Sequence, residues 1–283
     1  MLGSLAVDVP HATVAVDPPA VTVSAGGCSA AVLPADPSCA AAARRFFRTA
    51  AAGIGLTEET RYDGAVMASE LAANSLHARR AAGTAAPVPA EAGHPEIWLY
   101  LRQAGGEQEL VCKVFDTLPG WRGGRPPDLA ARVPDDAVSG RGLHVLQGLS
   151  HGRWGHHLSR ARVSGWKVPG KVVWFALPVP RSMALDRFRR PQPGSLQAAD
   201  TLKRMLGERG IGHIVHCDAP ASGMSVLSIR RDLTVWCRSR VVSWTTRSGY
   251  RECRAFSDLV DAAEQIVCAH EELAVADAAG QAW

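Results

Sequence analysis

Apolar residues recur at helical spacing in the first part of the chain. A helix is predicted from Pro37 to Ala52, because Asp36 can act as its N-cap and proline suits the first helical position. A second helix is predicted from Thr57 to about residue 80, since Thr57 can cap it and two acidic residues follow at its positive end. The apolar stripe of this second helix consists of Val66, Met67, Leu71 and Leu76.

Short apolar runs bounded by turn residues follow these helices and predict strands. Gly105 and Gly106 lie between two such runs and indicate a hairpin turn. The Gly- and Pro-rich segment from Asp116 to Gly140 is too long and too polar for an ordinary turn, and such segments are usually lids or binding loops. The predicted elements are strands at 96–102, 109–116 and 171–177 and a helix at 142–149. This order of elements favours an α+β layer with one helical face.

The second half of the chain predicts another, smaller α+β unit. Its predicted elements are a helix at 196–209, strands at 224–229, 233–237 and 241–244, and a long helix at 256–273. The N-terminal residues are rich in Val, Ala, Pro and Gly, which predicts a mostly disordered leader with one short edge strand around Val21 to Val23. The expected domain organisation is a leader at 1–29, a first domain at 30–180, a linker at 181–194 and a second domain at 195–283.

Composition narrows the class of protein only a little. The 283 residues include 31 Lys and Arg against 27 Asp and Glu, and this net charge of +4 gives no global reason to bind nucleic acid or an anionic membrane. No run of eighteen apolar residues and no secretory signal occurs, so a soluble, cytoplasmic protein is expected. Seven scattered cysteines without a CxxC pair favour neither a disulfide framework nor a zinc site.

Charge is distributed unevenly in the second half. Residues 181–254 carry fourteen Lys and Arg against six acidic residues, whereas residues 255–283 carry six acidic residues and no Lys or Arg. We therefore expect basic strands packed beside an acidic helix, an arrangement preferred over a nucleic-acid surface because a basic patch needs an unpaired face.

Three separated segments contain residues suited to chemistry. Glu70 and Asn74 lie one turn apart on the second predicted helix, where the carboxylate can act as a base and the amide oxygen is a hard ligand for Mg²⁺. Asp116 ends an apolar strand and can accept a hydrogen bond from an exocyclic amine. Gly140 and Gly142 open a helix whose free N–H groups could hold an anion. Taken singly, each segment is compatible with an ordinary structural role such as an exposed pair, a capping carboxylate or a flexible hinge.

The combination resembles the GHKL (Bergerat) ATPase family. Glu-Leu-x-x-Asn at 70–74 is followed by Asp116, then by Gly-Arg-Gly-Leu at 140–143, and finally by Gly-Lys-Val-Val-Trp at 170–174. Within that family the chain looks like the anti-sigma-factor, serine-kinase-type branch, over roughly residues 30 to 180. The resemblance implies a two-layer α/β sandwich of Bergerat type, with a mixed sheet and helices on one face.

The resemblance also implies roles for individual residues. Glu70 would be the general base, Asn74 the Mg²⁺ ligand and Asp116 the residue that reads the adenine amino group. Residues 117–139 would form the ATP lid, and Lys171 would have a supporting role. The remaining nucleotide-binding positions are Pro119 and Gly120 in a reduced first glycine box and Gly140, Arg141, Gly142 and Leu143 in the second box, where backbone amides and the arginine would face the triphosphate.

The function implied is regulatory. The chain is expected to bind Mg-ATP and either to phosphorylate a Ser or Thr of an antagonist protein or to hold a partner such as a sigma factor. Binding to a membrane or to nucleic acid is not expected. A homodimer is possible. His77 lies seven residues after Glu70, whereas many members of the resembled family have a histidine eight residues after this glutamate, so His77 is not given that role. The alternative is a non-catalytic scaffold with a degenerate pocket, whose second domain binds protein or DNA through the strands near Arg230, Arg231, Arg238 and Arg240.

Overall fold

The structure is a computed structural model that describes Val23 and residues 27–82, 94–118, 120–121, 141–180 and 193–280. Most of the predicted leader, lid and linker lies outside these residues. Val23 is buried in the first core but belongs to no strand. The elements of the first unit are β1 (Cys28–Val32), α1 (Cys39–Ala52), α2 (Glu58–Ala82), β2 (Glu96–Ala104), β3 (Glu107–Asp116), α3 (Arg141–Leu149), β4 (Trp154–Arg160) and β5 (Pro169–Pro178).

The two N-terminal helices form close to where the sequence predicts them. Thr57 Oγ1 accepts the backbone N–H of Thr60 at 3.1 Å, as expected of the residue that caps α2. The start of α1 is displaced by two residues, because Asp36 closes a turn instead: its carboxylate accepts the N–H of Ser38 at 2.7 Å and the helix begins at Cys39.

The first sheet has five strands in the order β1-β2-β3-β5-β4. Gly105 and Gly106, with φ of +59° and +82°, make the predicted tight turn between β2 and β3, a left-handed conformation that glycine adopts without steric cost. The expected α+β sandwich is confirmed, but the sheet differs in one detail. A mixed sheet was expected, but every described pair of neighbouring strands runs antiparallel.

One face of this sheet packs against α1, α2 and α3. Alternate residues of β3, namely Leu110, Cys112 and Val114, join this core, and Phe47 of α1 meets Phe175 of β5 with ring centroids 5.8 Å apart. The alternation places Asp116, two residues after Val114, on this helical face as well.

The second unit is a five-stranded antiparallel meander covered by two helices on one face. Its elements are α4 (Ser195–Glu208), β6 (Val215–Ala219), β7 (Met224–Arg230), β8 (Leu233–Arg238), β9 (Val241–Thr245), β10 (Arg251–Ala255) and α5 (Leu259–Gly280), with short 3-10 turns at Pro220–Ser222 and Phe256–Asp258. The edge strands β6 and β10 were not predicted, because they carry polar residues instead of an apolar alternation.

Helix α5 also packs on the back of the first sheet, which is the face opposite α1, α2 and α3. The first sheet is therefore covered on both faces. Tyr100 on β2 donates its hydroxyl to Asp261 at 2.9 Å, and Lys113 on β3 lies 3.4 Å from Glu264. The expectation that helices cover one face is therefore incomplete, because the acidic helix finds cations on the first sheet as well as beside its own strands. Among the described residues, no helix has the length and apolar character needed to cross a membrane.

Candidate functional site

Helix α2 presents Glu70 and Asn74 on the side that meets the start of α3. Both side chains are half-buried, and they lie one turn apart on the same face. A Cβ atom placed on Gly142 would lie 2.7 Å from Asn74 Nδ2 and 3.1 Å from Glu70 Oε2. The backbone of α3 therefore approaches this carboxylate and this amide as closely as only glycine allows.

The buried residues of α3 explain why its first turn lies there. Leu143 and Leu146 enter the first core, with Leu146 fully buried, and they fix the helix against α2. The N-terminal N–H groups of a helix have no partner within the helix and carry partial positive charge. Two sequence segments that are about seventy residues apart in the chain thus combine an oxygen-rich side-chain pair with an anion-attracting helix start.

Asp116 lies at the end of β3 and is held by a lysine. Lys171 Nζ donates to Asp116 Oδ1 at 2.9 Å and to Oδ2 at 2.8 Å, and its third hydrogen bond goes to the carbonyl oxygen of Leu118 at 2.9 Å. The backbone N–H of Leu118 also donates to Oδ1 at 2.8 Å. Oδ2 accepts one described bond where Oδ1 accepts two, so Oδ2 is the oxygen better placed to read a ligand amine.

Burial sets the electrostatics of this pair. The side chains of Asp116 and Lys171 are only 12% and 6% exposed. Burial raises the pKa of Asp116, and the attraction of Lys171 offsets only part of that rise. The ammonium group therefore stabilises the ionised form of Asp116 and aligns its carboxylate, whereas burial favours the protonated form.

An aromatic group flanks the lysine. The Trp121 ring centroid lies 5.5 Å from Lys171 Nζ, and the His156 ring meets Trp121 edge-on at 5.0 Å. Burial, and then the charge of Lys171, lowers the pKa of His156, so this imidazole is neutral at pH 7. The end of β3 thus offers a carboxylate, an ammonium and a flat aromatic surface together.

The predicted site residues fall into three groups. Glu70, Asn74 and Gly142 meet directly, and Leu143 anchors their helix in the core. Gly120 is exposed, and Arg141 begins α3. Pro119 and Gly140 lie outside the described residues.

Sequence reasoning gave Lys171 only a supporting role and missed Trp121 and His156. The pairing of Asp116 with Lys171 depends on the register between β3 and β5, which no local pattern reveals. The one local signal for Trp121 was an aromatic residue directly after the apolar strand and its Pro-Gly turn.

Residues 33–152 match the family model of the histidine kinase-like ATPase domain. This segment belongs to that family. It contains Glu70, Asn74, Asp116 and Gly142, whereas Lys171 lies beyond the match. No match to a curated protein was found for the chain.

An ATPase domain implies ATP binding, and the residues present fit such a ligand at the phosphate end. Within the described ranges, no three His, Cys, Asp or Glu side chains converge as a metal site on their own. Mg²⁺ is commonly held by one or two protein oxygens together with nucleotide phosphates. The Asn74 amide lies beside Gly142 at the start of α3, and its oxygen is of the kind that Mg²⁺ prefers.

Proposed function

We propose that the chain binds Mg-ATP between α2, the start of α3 and the end of β3, and that the bound nucleotide lets it act on or hold a protein partner. The observation that carries this proposal is the contact of Gly142 with the side chains of Glu70 and Asn74. Triphosphate oxygens would meet the N–H groups of α3, and the adenine amino group would meet Asp116 at the end of β3.

Each residue then has a chemical task. Glu70 can take the proton of an attacking hydroxyl as a general base, because its carboxylate faces the start of α3 rather than bulk solvent alone. Asn74 would hold Mg²⁺, which when bound neutralises phosphate charge. A hydroxyl acceptor implies a Ser or Thr of an antagonist, or water, and a sigma factor or its antagonist is the class of partner that fits the anti-sigma-type resemblance.

Calorimetric titration of Mg-ATP into the full chain and into Asp116→Asn tests the proposal. Wild type is expected to bind saturably, and the variant to bind at least about tenfold more weakly, since a hydrogen bond to a charged group contributes about 1.5–3 kcal/mol. Asp200→Asn is the matched control, because that carboxylate is 61% exposed on α4 of the second unit. Equal affinity for all three proteins would place the nucleotide elsewhere.

The geometry at Asp116 also favours a second candidate, a non-catalytic scaffold. Lys171 already donates to both carboxylate oxygens, so a ligand amine would have to share Oδ2 with this lysine. A folded wild-type protein that takes up no Mg-ATP in the same titration would support this alternative.

A further inference from the structure

The second sheet has one face covered by α4 and α5 and one face turned away from both. Strand alternation and cross-strand register decide which side chains share the open face, since Val226, Trp236, Ser243 and Cys253 occupy one row across β7 to β10. We call this surface the outer face. Its other strand residues include Met224, Thr234, Arg238, Val241, Thr245 and Arg251.

No carboxylate belongs to the outer face among the described strand residues. Glu252 and Asp218 alternate to the covered side, where Asp218 accepts the hydroxyl hydrogen of Ser225 and Glu252 pairs with Arg254. The outer face therefore combines two arginines with apolar and hydroxyl groups and has no compensating charge of its own.

The acidic helix does not neutralise these arginines. The ion pairs of Asp261, Glu264, Glu271 and Asp277 go to cations on the covered side of this sheet, on the first sheet and at the end of α4. Within the part of the chain that the structure describes, no ion pair involves the exposed Arg238, Arg240, Arg247 or Arg251. The charge counts predicted that the acidic helix pairs with the basic strands, but these arginines form an unpaired basic face.

A shallow pocket of about 400 Å³ opens on the outer face. Trp236 lies in its lining and is 43% exposed, which is unusual for an indole that could have been buried in the core. Arg238 and Arg251 line the same pocket, and Arg251 donates to Ser243 Oγ at 3.0 Å. A flat apolar ring is thus flanked by two guanidinium groups.

The neighbouring hairpin turn contains a further arginine. Ser239 and Arg240 connect β8 to β9 with φ of +53° and +63°, a conformation that glycine or asparagine adopts more readily. Ser239 lines the pocket, and Arg240, the next residue, is exposed in spite of the backbone cost of this turn.

We propose that the outer face binds single-stranded nucleic acid. A base would stack on Trp236, and the phosphates on either side would meet Arg238 and Arg251. Duplex nucleic acid is disfavoured because its bases are already stacked and cannot reach the indole. A second copy of the chain is disfavoured because two such faces would bring arginines against arginines.

The test is fluorescence anisotropy of a labelled oligodeoxythymidylate of about twelve nucleotides, titrated with the full chain at several salt concentrations. Trp236→Ala is expected to weaken binding at least about fivefold, and Arg238→Ala to lower the salt slope by about 0.7. Trp166→Ala and Arg204→Ala are matched controls. Trp166 is 58% exposed on the first unit, and Arg204 is 63% exposed on α4, away from the outer face.

Both test positions are exposed, so their variants are expected to fold, and circular dichroism verifies this. Saturable binding that Trp236→Ala weakens and Trp166→Ala leaves unchanged supports the proposal. It is overturned if wild type shows no saturable binding, or if the two tryptophan variants bind alike. It is also overturned if polyglutamate displaces the oligonucleotide at equal charge concentration, because the face would then select an acidic protein by charge alone.

Discussion

Replacing Glu264 with glutamine is expected to destabilise the whole chain strongly. Glu264 lies on α5 with 1% of its side chain exposed, and three cations surround it. Arg209 donates to it directly, Arg162 Nη1 lies 3.0 Å away and Lys113 Nζ lies 3.4 Å away. Burial alone would raise the pKa of Glu264, but these cations outweigh burial and lower it to about 2.

The magnitude follows from what the variant leaves behind. Glutamine keeps the volume but removes the carboxylate that contacts both Lys113 and Arg209, which are themselves 1% and 2% exposed. Arg209 retains bonds to Ser159 Oγ and to the carbonyl oxygen of Arg160, whereas its charge has lost its partner. Uncompensated buried charges of this kind typically cost about 3–5 kcal/mol, against a total free energy of unfolding of about 5–15 kcal/mol for a domain.

Guanidinium unfolding followed by tryptophan fluorescence measures this loss, because the buried Trp98 ring lies 4.5 Å from the Arg209 guanidinium carbon. The matched control is Glu208→Gln, which breaks a pair on α4 whose side chains are 63% and 54% exposed. Surface pairs contribute about 0–1 kcal/mol. A loss below about 1 kcal/mol for Glu264→Gln, or equal losses for both variants, would refute the view that this network holds α5 on the first sheet.

Three further predictions concern the pocket and the network. Gly142→Ala should weaken Mg-ATP binding in calorimetry by about tenfold or more, because its Cβ displaces Asn74, whereas Gly148→Ala, with open space at its Cβ on the same helix, should leave binding unchanged. Lys171→Met should raise the pKa of Asp116 further, so the rise of ATP affinity with pH should occur at higher pH than in wild type. Identical pH profiles would contradict this. Burial and the charge of Lys113 lower the pKa of His157 to about 3, so only the unfolded chain takes up this proton between pH 6.5 and 3. As the pH decreases through that window, the free energy of unfolding should decrease by up to about 1.4 kcal/mol per pH unit. His157→Phe should flatten this slope in thermal melts.

Local sequence signals were sufficient where a structure depends on neighbouring residues. The cap at Thr57 and the glycine turn at residues 105–106 are decided by residues within one turn of each other. The meeting of Glu70, Asn74 and Gly142 was predictable only by resemblance to a family, since the two segments pack through α2 and α3 rather than through the chain.

Long-range register explains what the sequence did not reveal. Asp116 pairs with Lys171 across β3 and β5, and fifty-four residues separate the two in the chain. The ion pairs of the acidic C-terminal helix also depend on long-range packing. From composition alone, its negative charge is balanced by the basic strands that precede it in the chain. Composition could not show that Lys113 and Arg162 of the first unit also neutralise Glu264, and this difference leaves the outer face of the second sheet unpaired.

The position of α5 also restricts how a protein partner can reach the ATPase domain. The back of the first sheet is closed, since Tyr100 and Lys113 are fully buried there against α5. The described surfaces that remain are the outer side of the helical layer, where Tyr62 is 60% exposed on α2, and the edge strands β1 and β4. On the proposed function, a partner would approach from these sides, because α3 and the side chain of Asp116 belong to the helical face of the first sheet.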